Sequence, residues 1–220
     1  MSKPTRHYWE ISLLILTGSI HILIKYLPLN MRFGSDSLFG IDFIGNMIAV
    51  TLWSFYLIYR IVQSRTVLHD WGFRLDNLKP SGKICFLFGL PFSILLILYG
   101  TLYKGFHPPL QSILIILLIY PIWGLIQQFA LQNFANKNLR ELGISLAIRV
   151  PIVGLLFSLS HFPNYPLMLL VFPLGIVTTI LFEKYPNIIA LGLLHGILGT
   201  FAYFMVLGLD PAAELFKAVS

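Results

Sequence analysis

The sequence predicts an all-α fold, a polytopic bundle of about seven transmembrane helices that forms one domain over residues 1–220. Hydrophobic residues make up 57% of the chain and charged residues only 11%, whereas soluble domains carry about 25% charged residues. Apolar runs of about 20 residues recur, each long enough to cross a bilayer core of about 30 Å. No short segments of alternating hydrophobicity occur, so the pattern favours helices over a transmembrane barrel.

Seven segments have the length and apolarity of a membrane span. In chain order they are Ile11–Leu29, Ile41–Ile61, Ile84–Tyr103, Leu110–Phe134, Ser145–Phe162, Tyr165–Phe182 and Asn187–Leu209. The first segment lacks a small-residue cleavage site, so we interpret it as a retained helix rather than a signal peptide. Proline and glycine inside several segments are compatible with membrane helices.

The cations predict an orientation for these spans. If all seven segments cross the membrane, most of the 15 Lys and Arg residues fall on one side. The positive-inside rule then places the N-terminus in the cytoplasm of a cell-membrane protein. Juxtamembrane cations facing anionic lipid explain the net charge of +6, so we expect membrane lipids, and not a nucleic acid, as partners.

The longest polar connector, residues 63–83, mixes aromatic and charged side chains. Trp71 and Phe73 lie close to Arg74 and Asp76 in this segment. Such a composition is typical of a segment that lies in the membrane interface. We therefore predict a cytoplasmic interfacial connector that anchors the fold, with gating of a substrate as the alternative.

Polar side chains inside three of the apolar segments are the candidates for function. They are Gln127, Gln128 and Gln132 in the fourth segment, His161 in the fifth, and His195 with Thr200 in the seventh. Polar groups in hydrocarbon are costly unless they pair or face a cavity, so they mark a functional site. Gln127, His161 and His195 are also equally spaced along the chain, which predicts that three helices converge on one shared site.

These residues resemble the motifs of the CPBP intramembrane proteases, which include CAAX prenyl protease 2 (Rce1-type) enzymes and bacteriocin-immunity relatives. That family carries EExxxR on one helix, FxxxH on the next, and HxxxN or HxxxD on a later one. The corresponding stretches here run from Gln127 to Gln132, from Phe157 to His161, and from His195 to Gly199. The resemblance covers residues 110–209. It implies an intramembrane endopeptidase that acts on a lipidated or membrane-embedded polypeptide.

The departures from the family pattern concern its charged residues. Both Glu positions hold glutamine (Gln127 and Gln128), the Arg position holds Gln132, and the last Asn or Asp position holds Gly199. A glutamine amide orients water but cannot take its proton near neutral pH. All Asp and Glu residues lie in connectors or near the ends of the apolar segments. Gln128 and Gln132, at i and i+4, are expected to hydrogen-bond to each other.

The resemblance implies roles for these residues. His161 would be the catalytic base, while Gln127 and His195 would orient water and the substrate carbonyl. The candidate substrate-binding residues are Gln128, Gln132, Phe157 and Thr200. Catalytic zinc takes three protein ligands, and two histidines without a carboxylate do not supply them. We therefore predict neither a metal nor a cofactor.

Two other interpretations of the same residues remain. The chain is alternatively a catalytically silent family member that binds peptide or lipid in the same cavity, with both histidines serving interhelical hydrogen bonds. A small-molecule transporter is the second alternative. No interior acid that could relay a proton or cation is predicted, and no inverted repeat is visible, so the sequence favours the first two interpretations.

Overall fold

A computed structural model describes residues 3–26 and 41–213, with side chains over 5–23 and 47–213. Residues 27–29, the predicted end of the first span, lie outside the described residues. The helices are α1 (Lys3–Tyr26), α2 (Ile41–Gln63), α3 (Val67–Asp70), α4 (Leu78–Leu98), α5 (Leu110–Phe129), α6 (Lys137–Glu141), α7 (Leu146–Leu159), α8 (Tyr165–Lys184) and α9 (Ile188–Phe201). π-Helical turns extend α4 over Tyr99–Tyr103, α5 over Ala130–Asn136 and α9 over Ala202–Leu207. The described ranges contain no strand, and the predicted all-α class is confirmed.

Four of these helices are long and apolar enough to cross a membrane. They are Leu78–Tyr103, Leu110–Glu141, Tyr165–Lys184 and Ile188–Leu207. Large apolar side chains such as Leu90, Leu118 and Leu169 are exposed along them. Contiguous apolar surface of this kind marks a site of contact with other molecules. Together with the length of the helices, it indicates a multi-pass protein embedded in lipid.

Four helices meet the length and apolarity of a span in the described structure, so the predicted number of seven is not confirmed. The part of α2 whose side chains are described, Met47–Gln63, is apolar, and so is the helix Leu146–Leu159. The predicted span Ser145–Phe162 becomes the 14-residue α7, which is about 21 Å long at about 1.5 Å per residue. Pro163 disfavours a helical conformation in the residue before it, so the helix ends early.

Helices α5 and α9 pack through small residues at the centre of the fold. A Cβ atom added to Gly196 would lie 2.4 Å from the Cα of Pro121. A Cβ added to Gly192 would lie 2.7 Å from the Cα of Leu125. The two helices therefore run antiparallel with their backbones in contact, the arrangement that small residues permit between membrane helices.

Glycines also lie at the contacts of two further pairs of helices around this centre. A Cβ added to Gly175 of α8 would lie 2.9 Å from the Cα of Gly154 in α7. A Cβ added to Gly89 of α4 would lie 2.7 Å from Cδ1 of Leu194 in α9. The face of α9 that carries residue 194 is thus covered by α4, and its neighbouring face by α5.

A buried polar cluster ties α1 to α2 and α6. The carboxylate of Glu10 accepts hydrogen bonds from Tyr56, Arg60 and, at 2.7 Å, the side-chain nitrogen of Asn138. Nδ1 of His7 donates to the side-chain oxygen of Asn138 at 2.6 Å. Glu10 therefore lies within a helix and anchors α1 to the rest of the molecule.

The connector between α2 and α4 packs onto the ends of α5 and α9. Trp71 is buried, and its carbonyl oxygen accepts a hydrogen bond of 3.1 Å from the side chain of Asn133. The backbone nitrogen of Ile188 donates to the carbonyl oxygen of Gly72 at 2.9 Å. Trp71 thus contributes to the protein core, while Leu75 of the same connector is exposed. The interfacial position of residues 63–83 stays a prediction.

Candidate functional site

His161 and His195 line one cavity, which has a volume of about 170 Å³ and is called the histidine cavity below. Its other walls are mainly aliphatic and aromatic and come from α4, α5, α8 and α9. They include Phe88, Phe92, Tyr120, Leu167, Val171, Leu174, Leu198 and Gly199. Within the described structure no Asp, Glu, Lys or Arg lines this cavity. The site therefore suits an apolar group and offers it two imidazoles and the phenol of Tyr120 as polar side chains.

The two histidines reach the cavity from different kinds of backbone. His195 lies within α9, one residue before Gly196, where the helix meets α5. His161 was predicted inside a span, but it lies in the turn that follows α7. That turn is held by the backbone nitrogen of His161, which donates to Ser158, and by its carbonyl, which accepts from Asn164.

The hydrogen bond at Nδ1 defines the tautomer of His195. The side-chain nitrogen of Gln128 lies 3.2 Å from this atom, and an amide nitrogen can only donate. Nδ1 therefore accepts, so the neutral ring carries its proton on Nε2. His195 is 2% exposed. It offers the cavity a hydrogen-bond donor.

His161 has the opposite arrangement. Its Nδ1 lies 2.9 Å from the carbonyl oxygen of Phe157, which can only accept, so Nδ1 carries the proton and Nε2 carries the lone pair. The Phe157 ring stands edge-on to both imidazoles, with centroids 5.1 Å from His161 and 5.3 Å from His195. Phe157 is therefore a spacer between the two rings.

Behind His195, three amide side chains form a chain along α5 and its π-helical extension. The side-chain nitrogen of Gln132 donates to Oε1 of Gln128 at 3.3 Å, as the i, i+4 spacing predicted. The side-chain nitrogen of Asn136 donates to Oε1 of Gln132, also at 3.3 Å. Gln128, Gln132 and Asn136, called the amide ladder below, are all 0% exposed. Hydroxyl groups of Thr178 and Thr179 on α8 accept from Gln132 at 3.4 Å.

The amide ladder ends on an ion pair between α7 and α8. Nε of Arg149 donates to the side-chain oxygen of Asn136 at 2.8 Å. Nη2 of Arg149 lies 2.5 Å from Oε2 of Glu183. The sequence analysis placed all acidic residues, Glu183 among them, in connectors or near span ends, and it found no link to Arg149. Only the position of Asn136, four residues after Gln132, carried a signal for this extension.

Gln127 lies outside the histidine cavity. It lines a different one, between α1, α5 and α7, together with Leu14, Gly18, Leu131 and Phe157. Its Oε1 is buried and has no hydrogen-bond partner in the described structure. The predicted convergence of Gln127, His161 and His195 on one cavity is therefore wrong for Gln127. Successive residues on an α-helix point about 100° apart, and the inward direction belongs to Gln128.

Thr200 and Gly199, which follow His195 on α9, differ in their access to the site. The hydroxyl of Thr200 donates to the carbonyl of Gly196 in its own helix at 2.8 Å, and Thr200 does not line the histidine cavity. A Cβ added to Gly199 would lie 2.3 Å from Cε1 of Tyr120. The Tyr120 ring, a part of the site that sequence reasoning missed, thus fills the space next to Gly199.

The described residues contain no group of three or more His, Cys, Asp or Glu placed to hold a metal ion. A group that enters the histidine cavity meets both His161 and His195. The arrangement can supply one proton acceptor and one hydrogen-bond donor to that group.

Comparison with known proteins gives one family match. Residues 109–201 match the model of a family described as type II CAAX prenyl endopeptidase Rce1-like. The matched region begins one residue before α5 and ends at the last residue of α9, so it contains the amide ladder and both cavity histidines. No curated protein and no solved structure matches the chain.

Proposed function

We propose that this chain, whose residues 109–201 match the model of the Rce1-like family of type II CAAX prenyl endopeptidases, is a multi-pass membrane endopeptidase. Its substrate in this proposal is a lipidated or membrane-embedded polypeptide. The observation that carries the proposal is the complementary hydrogen bonding of the two cavity histidines. The acceptor nitrogen of His161 and the donor nitrogen of His195 serve one apolar cavity.

Peptide hydrolysis needs both of these groups. In the proposed reaction, Nε2 of His161 takes a proton from water as the water oxygen bonds to the carbonyl carbon of the substrate. The carbonyl oxygen gains the negative charge and accepts a hydrogen bond from Nε2 of His195. When the C–N bond breaks, His161 returns the proton to the leaving nitrogen. A positioned acid–base group typically contributes about 10²–10⁴-fold, and a donor to the oxyanion about 10²–10³-fold.

The walls of the cavity support the proposed substrate class. Phe92 and Leu96 of α4, with Val171 and Leu174 of α8, give it an apolar surface. Burial of apolar groups there contributes about 25 cal/mol per Å². A lipid group or an apolar side chain next to the scissile bond would therefore hold the substrate in place.

A second candidate function is binding of the same ligand without hydrolysis. It is favoured by one specific observation: glutamine occupies both positions at which the family carries glutamate, and within the described residues no carboxylate lines the histidine cavity. The transporter alternative gains no support from this cavity, because the described lining holds no acidic residue that could carry a proton or cation.

A farnesylated CAAX-type peptide with a fluorescent label separates these functions. Purified wild-type protein, His161→Ala and His195→Ala would each be tested for binding by fluorescence anisotropy and for cleavage by mass spectrometry. We expect cleavage by the wild type, and binding without cleavage by His161→Ala. Binding without cleavage by the wild type would establish the second function, and absence of binding would reject both.

We also propose seven spans with the N-terminus in the cytoplasm. Support comes from the described structure, where every predicted span contains a helix, and from the cations in the connectors. A reporter fused after Ser220 tests this topology. It should be exported, and a cytoplasmic reporter would mean an even number of crossings.

A further inference from the structure

The amide ladder is a directional chain of hydrogen bonds. Its donors all point from the ion pair of Arg149 and Glu183 towards His195. In order, Arg149 Nε donates to Asn136 Oδ1 at 2.8 Å, Asn136 Nδ2 to Gln132 Oε1 at 3.3 Å, Gln132 Nε2 to Gln128 Oε1 at 3.3 Å, and Gln128 Nε2 to His195 Nδ1 at 3.2 Å. No amide in the series points the other way.

The direction is fixed at the end of the ladder that carries charge. A guanidinium group can only donate and a carboxylate can only accept. Asn136 therefore has to present its oxygen to Arg149, and its nitrogen, which also donates to Oε1 of Glu183 at 3.0 Å, has to face the other way. The ion pair thus determines the orientation of the first amide by two independent contacts.

The first amide orients Gln132, whose nitrogen also donates to the hydroxyls of Thr178 and Thr179, and Gln132 in turn orients Gln128. A side-chain amide has one donor end and one acceptor end, so turning Gln132 or Gln128 alone would place donor against donor or acceptor against acceptor. All three ladder residues are 0% exposed, so bulk water is not available to satisfy a turned amide. Nδ1 of His195 is therefore left as the acceptor at the end of the series.

We infer that Arg149 and Glu183 are positioning residues that set the tautomer of His195 through the amide ladder. The ion pair makes Nε2 of His195 the protonated nitrogen, and this nitrogen faces the oxyanion in the proposed reaction. The catalytic meaning of this inference rests on the proposed function. The tautomer itself does not depend on any activity.

Nuclear magnetic resonance of the protein labelled with ¹⁵N-histidine tests the inference. The full chain would be studied in detergent micelles at about pH 8, where an imidazole with an ordinary pKa of about 6.5 is neutral. The His195 signals are assigned by their loss in His195→Gln. In the wild type we expect an unprotonated Nδ1 and a protonated Nε2 for His195. A protonated Nδ1 in the neutral wild-type ring would overturn the inference.

A charge-balanced double variant should reverse the ladder. In Asn136→Asp combined with Glu183→Gln, the carboxylate moves onto the ladder and stays next to Arg149. The new carboxylate can only accept, so Gln132 and Gln128 should both turn. His195 should then donate from Nδ1 and carry its lone pair on Nε2. A folded double variant that keeps the wild-type tautomer would contradict the inference.

Two single variants complete the test. Asn136→Leu removes the link to the ion pair and should give His195 signals for both tautomers. A single, unchanged tautomer in this variant would count against the inference, even if the double variant does not fold. Asn133→Leu is the matched control, because Asn133 is a buried amide of the same π-helical segment outside the ladder. Its His195 signals should match those of the wild type.

Activity is measured separately on the same variants. If the proposed function holds, the double variant should lose kcat by about 10²–10³-fold, the contribution typical of one oxyanion donor, with little change in KM. A reversed tautomer in a protein that never cleaves peptide would leave the positioning role intact and reject only the endopeptidase.

Discussion

The side-chain nitrogen of Gln128 lies 3.2 Å from Nδ1 of His195 and joins the amide ladder of α5 to the histidine cavity. Both residues are buried, so each is the other's principal polar partner at this point of the helix interface. A buried polar group that loses its partner costs about 1–3 kcal/mol. The contact therefore links the stability of the bundle to the chemistry of the site.

Replacement of Gln128 by leucine should destabilise the protein, while the same replacement at Gln127 should not. Gln128→Leu leaves Nδ1 of His195 and the nitrogen of Gln132 with one partner fewer, so we expect a loss of about 1–3 kcal/mol. Gln127→Leu removes an oxygen that has no partner in the described structure and fills an apolar wall. Thermal unfolding in detergent micelles measures the loss of stability in each of the two variants. Equal losses in the two variants would mean that the inward position has been misassigned.

Arg149 and Glu183 should be energetically coupled, so that the double variant loses less stability than the two single variants together. Arg149→Gln or Glu183→Gln alone strands a partly buried charge, and breaking a buried pair costs about 3–5 kcal/mol. The double variant should be less unstable than the sum, with a coupling energy of about 0.5–3 kcal/mol. The free energy of unfolding of all four proteins gives this value.

Arg140→Gln is the matched control for that cycle. Arg140 also faces Glu183, at 3.6 Å, but its side chain is 43% exposed, against 6% for Arg149. Exposed ion pairs contribute about 0–1 kcal/mol. If Arg140→Gln lowers the free energy of unfolding as much as Arg149→Gln does, burial does not distinguish the two contacts.

The sequence was sufficient for the helices and for part of the site. Apolar run length located a helix in every predicted span, and the i, i+4 spacing of Gln128 and Gln132 predicted their hydrogen bond. The sequence did not predict which of the two adjacent glutamines, Gln127 or Gln128, faces the histidine cavity. That choice depends on the rotation of α5 about its axis, which is set by the close contact of Pro121 with Gly196 in a distant part of the chain.

The remaining parts of the site depend on contacts between helices that are far apart in sequence. Arg149 and Glu183 sit near the ends of separate spans and pair because α7 and α8 pack through Gly154 and Gly175. Asn136 lies beyond the predicted end of its span, and the π-helical turns that continue α5 bring it onto the ladder. Periodicity within one segment carries no information on such pairings.

Restoring the family's asparagine at Gly199 should require a second change. A Cβ there would lie 2.3 Å from the Tyr120 ring, and overpacking of this kind costs about 1–3 kcal/mol. Gly199→Asn should therefore lower the unfolding temperature, and Gly199→Asn with Tyr120→Leu should recover much of it. Tyr120→Leu alone provides the reference. A double variant no more stable than Gly199→Asn would show that Tyr120 is not the obstacle.

Restoring a charged pair on the ladder should raise cleavage. In Gln128→Glu with Gln132→Arg, the new carboxylate faces Nδ1 of His195 and favours the charged ring, while the new arginine balances it one turn away. Hydrogen bonds from charged donors contribute about 1–1.5 kcal/mol more than those from neutral donors. If the charged His195 stabilises the oxyanion by this amount, kcat should rise roughly tenfold.

The neighbouring position supplies the control for that gain. Gln127→Glu places a carboxylate in the cavity beside α1, away from both histidines, and should leave kcat at the wild-type level or below because an unpaired carboxylate there would stay protonated. All variants would be assayed on the farnesylated peptide, with His161→Ala as the inactive reference. A larger gain in kcat from Gln127→Glu than from Gln128→Glu with Gln132→Arg would contradict this prediction. It would mean that Gln127, and not Gln128, is the glutamine that supports the reaction.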